Sequence, residues 1–105
     1  MKLRILKLKQ PKDVFDRVVN GEQTELYRKV TTYHSEKIVE WVQTDIFFSG
    51  EVLAVEVTQM PKEDGKVLTV LCDAVIIDQG VLEWGAPKNR KTWILRLGDL
   101  IKKDK

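Results

Sequence analysis

A chain of 105 residues is expected to form one domain, long enough to bury about two-thirds of its unfolded surface without disulfides or metals to staple it. Its 43% hydrophobic and 32% charged residues exclude a disordered chain, and a net charge of +2 with a pI near 8.7 falls short of the excess that by itself marks a nucleic-acid protein. No stretch approaches a membrane span, and the N-terminal Met-Lys-Leu-Arg-Ile-Leu-Lys-Leu-Lys is too often broken by charge to be a signal core, so the expected location is the cytoplasm.

Residues 2–8 alternate well enough for a strand, with Ile5-Leu6 breaking the period as a bulge or a strand covered on both faces would. Residues 11–19 place Val14, Phe15, Val18 and Val19 on one helical face, with Pro11 in the first turn and Asn20-Gly21 suited to a left-handed stop. Residues 24–30 then read as a strand on which Glu25, Tyr27 and Lys29 point one way and Leu26, Arg28 and Val30 the other. Residues 35–42 fit a helix capped by Ser35, with Ile38, Val39, Trp41 and Val42 near one stripe, although these residue types also favour extended structure.

Residues 43–48 read as a short strand, and Ser49-Gly50 as a hairpin turn into residues 51–59, where Leu53, Val55 and Val57 share a face. Residues 60–65, with Pro61 and Asp64-Gly65, form the clearest loop. Residues 66–77 are apolar on both parities and so predict a central strand, with Asp73 marking a bend or a polar lumen position. Residues 78–89 are irregular and carry Glu83 and Trp84, residues 91–97 close as a last strand, and residues 98–105 form a basic tail expected to fray. Without βαβ alternation, this order predicts an α+β fold: a small mixed β-barrel of about five to seven strands with one or two helices.

Cys72 lies within the apolar run, which favours a buried small hydrophobe over a nucleophile. With one cysteine and one histidine there is no metal-ligand cluster, and no metal or cofactor is expected.

The stretch Gly21-Glu-Gln-Thr-Glu-Leu-Tyr-Arg-Lys29 resembles the Gly-x-Lys-x-x-Glu-x-Arg signature of ASCH domains, the PUA-like β-barrels linked to RNA metabolism. Short phage and bacterial forms of that family read similarly, with a following Tyr-Trp where this chain has Tyr33-His34. Glu83-Trp84-Gly85-Ala86 and Ile94-Leu95-Arg96-Leu97-Gly98 look like the end of those forms, so the resemblance spans nearly the whole chain. It implies a PUA-like barrel that binds RNA or a nucleotide beside residues 21–29, in a monomer that needs no membrane. It also implies an alternative, because some small ASCH-like proteins hydrolyse acylated cytidine with a motif lysine, a threonine and a glutamate. Here Gln23 stands at the lysine position and Leu26 at the threonine position, and neither supplies a base or a nucleophile. A phage- or plasmid-borne interaction protein without a small ligand is a third class.

Within that frame the expected cleft is lined by Gln23, Glu25, Arg28, Lys29, Tyr33 and Trp84. Arg and Lys match phosphate, Glu accepts from base or ribose groups, and Tyr stacks a base. The same residues equally describe cross-strand pairs on a solvated sheet face. Trp84 is either a stacking platform or a lid on the barrel mouth. Lys88, Arg90 and Lys91 are the densest basic cluster outside the tail, and His34 is either structural or a general base.

Overall fold

The computed structural model describes residues 2–43, 46–60 and 66–104. Five strands and two longer helices form a small α+β domain: β1 (Lys2–Pro11), α1 (Lys12–Val19), β2 (Glu25–Arg28), α2 (Thr32–Val42), β3 (Glu51–Met60), β4 (Val67–Asp78) and β5 (Thr92–Asp104). A one-turn helix, α3 (Ile46–Ser49), precedes β3, and a 3-10 turn, Leu82–Trp84, precedes β5. The sheet order is β1-β3-β4-β5-β2, curled into a half-barrel, with β1 parallel to β3 and every other pair antiparallel. Among the described residues no helix is long and apolar enough to cross a membrane.

The core fills the concave side. Leu6 and Leu8 of β1, Val55 and Val57 of β3, Leu68, Val70 and Cys72 of β4, Leu95 of β5 and Leu26 of β2 point inward, against Phe15 of α1 and Ile38 and Trp41 of α2. Each helix is amphipathic, so each covers the open side of the sheet with one stripe and leaves its charges in water. Strand β1 pairs with β3 without interruption from Lys2 opposite Glu51 to Pro11 opposite Met60. Ile5-Leu6 is therefore neither a bulge nor doubly covered: Leu6 faces the core and Ile5 stands 43% exposed on the outer face.

Helix α1 stops where expected. Gly21 is left-handed at φ 75°, and the Glu22 and Gln23 amides donate to the Arg17 carbonyl at 2.8 and 3.1 Å. Pro11 sits one position earlier than predicted, as the extended cap that ends β1. Helix α2 also begins earlier, because the Thr31 hydroxyl, not Ser35, is its cap and accepts from the His34 amide at 3.2 Å. Ser35 instead accepts from Trp93 Nε1 at 3.0 Å and ties the helix to β5. Val39, expected near the buried stripe, is 59% exposed.

Two predicted elements change identity. The strand expected over residues 43–48 is helix α3 from Ile46, with residues 44 and 45 outside the described residues; its last residue, Ser49, donates to the Ile46 carbonyl and accepts from the Glu51 amide, both at 3.1 Å. Gly50, at φ 74°, thus ends a helix rather than turning a hairpin, and β3 runs parallel to β1. The tail expected to fray is strand: β5 pairs with β4 as far as Asp104 opposite Val67. The loop predicted over residues 60–65 begins after Met60, the last residue of β3, and residues 61–65 lie outside the described residues.

Strand β4 is the middle strand of the sheet, as its apolar run predicts. Its register against β5 slips between Cys72 and Ala74, so inward positions pass from Leu68, Val70 and Cys72 to Val75. Asp73 is therefore the bend, and it is exposed rather than in the lumen.

Candidate functional site

The edge strands β1 and β2 lie at opposite ends of the sheet order, and the curl of the half-barrel brings them to a seam. Arg28, the last residue of β2, bridges it. Its Nη1 donates to the Tyr27 carbonyl at 2.7 Å and its Nη2 to the Lys9 carbonyl at 3.0 Å. With the Gln10 amide oriented so that its oxygen faces the guanidinium, that oxygen accepts from both Nη atoms, at 2.7 and 3.1 Å. Partial burial pulls the Arg28 pKa down from its ordinary value, but a guanidinium stays charged, so a half-buried cation sits under the seam.

A two-lobed cleft lies over it. The first lobe, about 460 Å³, has Leu6, Leu8 and Ile38 as its apolar floor, with Lys7, Lys9, Arg28, Tyr33, His34 and Lys37 around it. The second, about 600 Å³, is walled by Tyr27, Pro87, Gly85 and Thr92, with Lys9, Arg28, Lys29 and His34 on its other side. No aspartate or glutamate lines either lobe. Lys7, Lys9, Lys29 and Lys37 form no ion pair with any described residue. On a chain of net charge +2, this concentrates positive potential in one place.

The α2 cap positions the aromatic side of the cleft. His34 Nδ1 lies 3.3 Å from the Lys29 carbonyl and 3.2 Å from Thr31 Oγ1, which fixes the ring. A proton on Nδ1 is then held by the carbonyl, and Nε2 is left as the acceptor. Tyr33, one residue earlier, is 67% exposed and meets the His34 ring edge-on, with centroids 5.4 Å apart. One turn further on, Lys37 Nζ stands 5.8 Å from the Tyr33 ring centroid.

Of the six predicted site residues, Arg28, Lys29 and Tyr33 meet in this cleft, and Gln23, Glu25 and Trp84 line neither lobe. Gln23 is 2% exposed; its oxygen accepts from Arg17 Nε at 2.9 Å, and its nitrogen donates to the Glu25 and Trp84 carbonyls at 2.8 and 3.2 Å. Glu25 accepts from the Tyr27 hydroxyl at 2.7 Å and from Arg96 Nε at 3.2 Å. Tyr27 in turn accepts from the Val81 amide at 3.0 Å. Together these bonds pin the segment before β5 against β2. Burial foremost, with Glu25 adding to it against the opposing Val81 bond, pushes the Tyr27 phenol up to about 12. Cys72 is buried, donates to the Ala74 carbonyl at 3.4 Å, and has its thiol pushed up to about 11 by burial. Lys88, Arg90 and Lys91 are exposed and line neither lobe.

Lys7, Lys9 and Lys37 were not singled out from sequence. Lys7-Leu8-Lys9 carried a signal, two cations on one side of an edge strand, and Tyr33 and Lys37 carry helical i, i+4 spacing once Thr31 is recognised as the cap. Among the described residues no group of three His, Cys, Asp or Glu side chains is placed to hold a metal ion. No protein-family model, curated protein or solved structure matches the chain.

Proposed function

We propose that the chain is a small RNA- or nucleotide-binding module of the ASCH, PUA-like kind its motif resembles, taking its ligand in the cleft over the β1/β2 seam. The observation that carries this reading is the lining itself: four lysines that form no ion pair with any described residue, a half-buried arginine and an exposed tyrosine, with no carboxylate among them. Lysines neutralise phosphates without reading sequence, and an exposed aromatic gives a base a face to stack on. Gln23 supports binding over amide hydrolysis, because a buried amide with both ends bonded offers neither base nor nucleophile.

A salt titration of single-stranded RNA binding tests it. Phosphate contacts make log affinity fall with log salt at about 0.7 per phosphate neutralised, and the cleft predicts about one to three contacts. Lys7→Ala and Lys37→Ala should each lower the slope by about one contact, while Lys88→Ala leaves it unchanged. Tyr33→Ala should cost about 1–3 kcal/mol of binding with the slope intact. Wild-type affinity and slope in a variant lacking all four cleft lysines would sink the proposal.

A further inference from the structure

Resting on that reading, we infer that the unit of recognition is a dinucleotide step of single-stranded RNA, with one nucleoside in each lobe and the bridging phosphodiester where the lobes meet. The two lobes share three residues, Lys9, Arg28 and His34, the first two of them cationic. Outward from that junction each lobe turns apolar or aromatic: Leu6, Ile38 and Tyr33 on one side, Tyr27 and Pro87 on the other. Positive charge flanked by two apolar-walled spaces complements a phosphodiester flanked by two bases. Each lobe also falls within the roughly 300–1,000 Å³ of a small-molecule site, so neither needs the other to hold a nucleoside.

The junction chemistry limits the phosphate's partners. Arg28 has its Nη groups bonded to Tyr27, Lys9 and Gln10, so it acts on a phosphate through its charge rather than as a two-pronged donor. The direct contact falls to the Lys9 ammonium, since His34 Nε2, which has no partner among the described residues, is an acceptor with no proton to give a phosphate oxygen. Lys7 and Lys37 beside the first lobe, and Lys29 beside the second, are placed for the phosphates on either side of the step. A duplex does not fit this scheme, since its bases keep their faces stacked on one another.

Calorimetric titration with uridine 5′-monophosphate, the dinucleotide UpU, the trinucleotide UpUpU and an eight-nucleotide uridine strand decides the matter. UpU should bind about tenfold or more tighter than the monophosphate, the gain from a second stacked base. The third nucleotide should add less than about threefold, since it finds only flanking charge. Lys29→Ala should weaken UpU more than it weakens the monophosphate, and chemical shifts from Tyr33 and Tyr27 should both move with UpU. Equal affinity for monophosphate and dinucleotide, or binding of the eight-nucleotide strand alone, would overturn the dinucleotide inference while leaving the RNA-binding reading intact. No binding by any of the four would overturn both.

Discussion

Arg28 joins two edges that no backbone ladder joins, and this gives it a structural role beyond the phosphate contact its residue type predicts. Removing the side chain leaves the Lys9 and Tyr27 carbonyls and the buried Gln10 amide without their donor. Arg28→Ala should therefore cost about 1–3 kcal/mol in urea unfolding. Arg28→Lys should recover little of it, because an ammonium cannot span the same acceptors as a planar fork. Tyr27 gives a pH signature with a definite sign. Its folded pKa is raised to about 12 from 10.0, so the native state holds the phenolic proton more tightly than the unfolded state does. The stability this confers is complete below pH 10 and is lost as pH climbs from there through 12. Alkaline unfolding of wild type against Tyr27→Phe checks this: the variant should show the flatter decline over that interval, and its phenolate absorbance should lack the late phase. At this scale the sequence made the cationic and aromatic membership of Arg28, Lys29 and Tyr33 legible. It could not show that Gln23 and Tyr27 bond to the segment before β5 and Glu25 to β5 itself, because Trp84, the Val81 amide and Arg96 are remote in the chain.

The segment before β5 is held by shape as well as by hydrogen bonds. A Cβ at Gly80 would overlap the Tyr27 ring and stand 2.7 Å from the Ala86 Cβ, so this glycine is required by close approach. Gly80→Ala should destabilise by about 1–3 kcal/mol, the usual cost of overpacking, and should bring the Tyr27 phenolate phase to lower pH as the segment lifts away. Stability in urea and the alkaline titration together check both halves. This docking also explains why residues 66–77 are apolar on both parities. The bulge at Asp73 moves the inward face from even to odd positions, and beyond it the outer face beside Ile94, itself 2% exposed, is covered too. The elements legible from sequence are those set by local pattern: α1 with its glycine stop, β1, β3 and β4. Residues 98–104 escaped because their extended form comes from pairing with β4, whereas their own composition reads as a solvated tail. α3 escaped because Phe47 and Phe48 carry strand propensity, and a single turn sealed by Ser49 leaves no periodicity to detect.

Across the whole molecule, strands β3, β4 and β5 form a meander of sequence neighbours, while β1 and β2 attach to its two outer edges from far away in the chain. Lys2 pairs with Glu51 and Glu25 with Arg96, so both attachments close long loops. The meander can form before either loop closes. Leu68 in β4 and Leu26 in β2 make a matched probe, since both are almost fully buried and each should lose about 2–5 kcal/mol on truncation to Ala. In stopped-flow refolding, Leu68→Ala should slow folding, whereas Leu26→Ala should leave the folding rate nearly unchanged and speed unfolding. The reverse pattern would place the edges in the nucleus. If the meander leads, synthesis and assembly run in opposite directions. Strands β1 and β2, translated before β3, β4 and β5, wait without a sheet to join, and the cleft between them is the last part of this domain to exist.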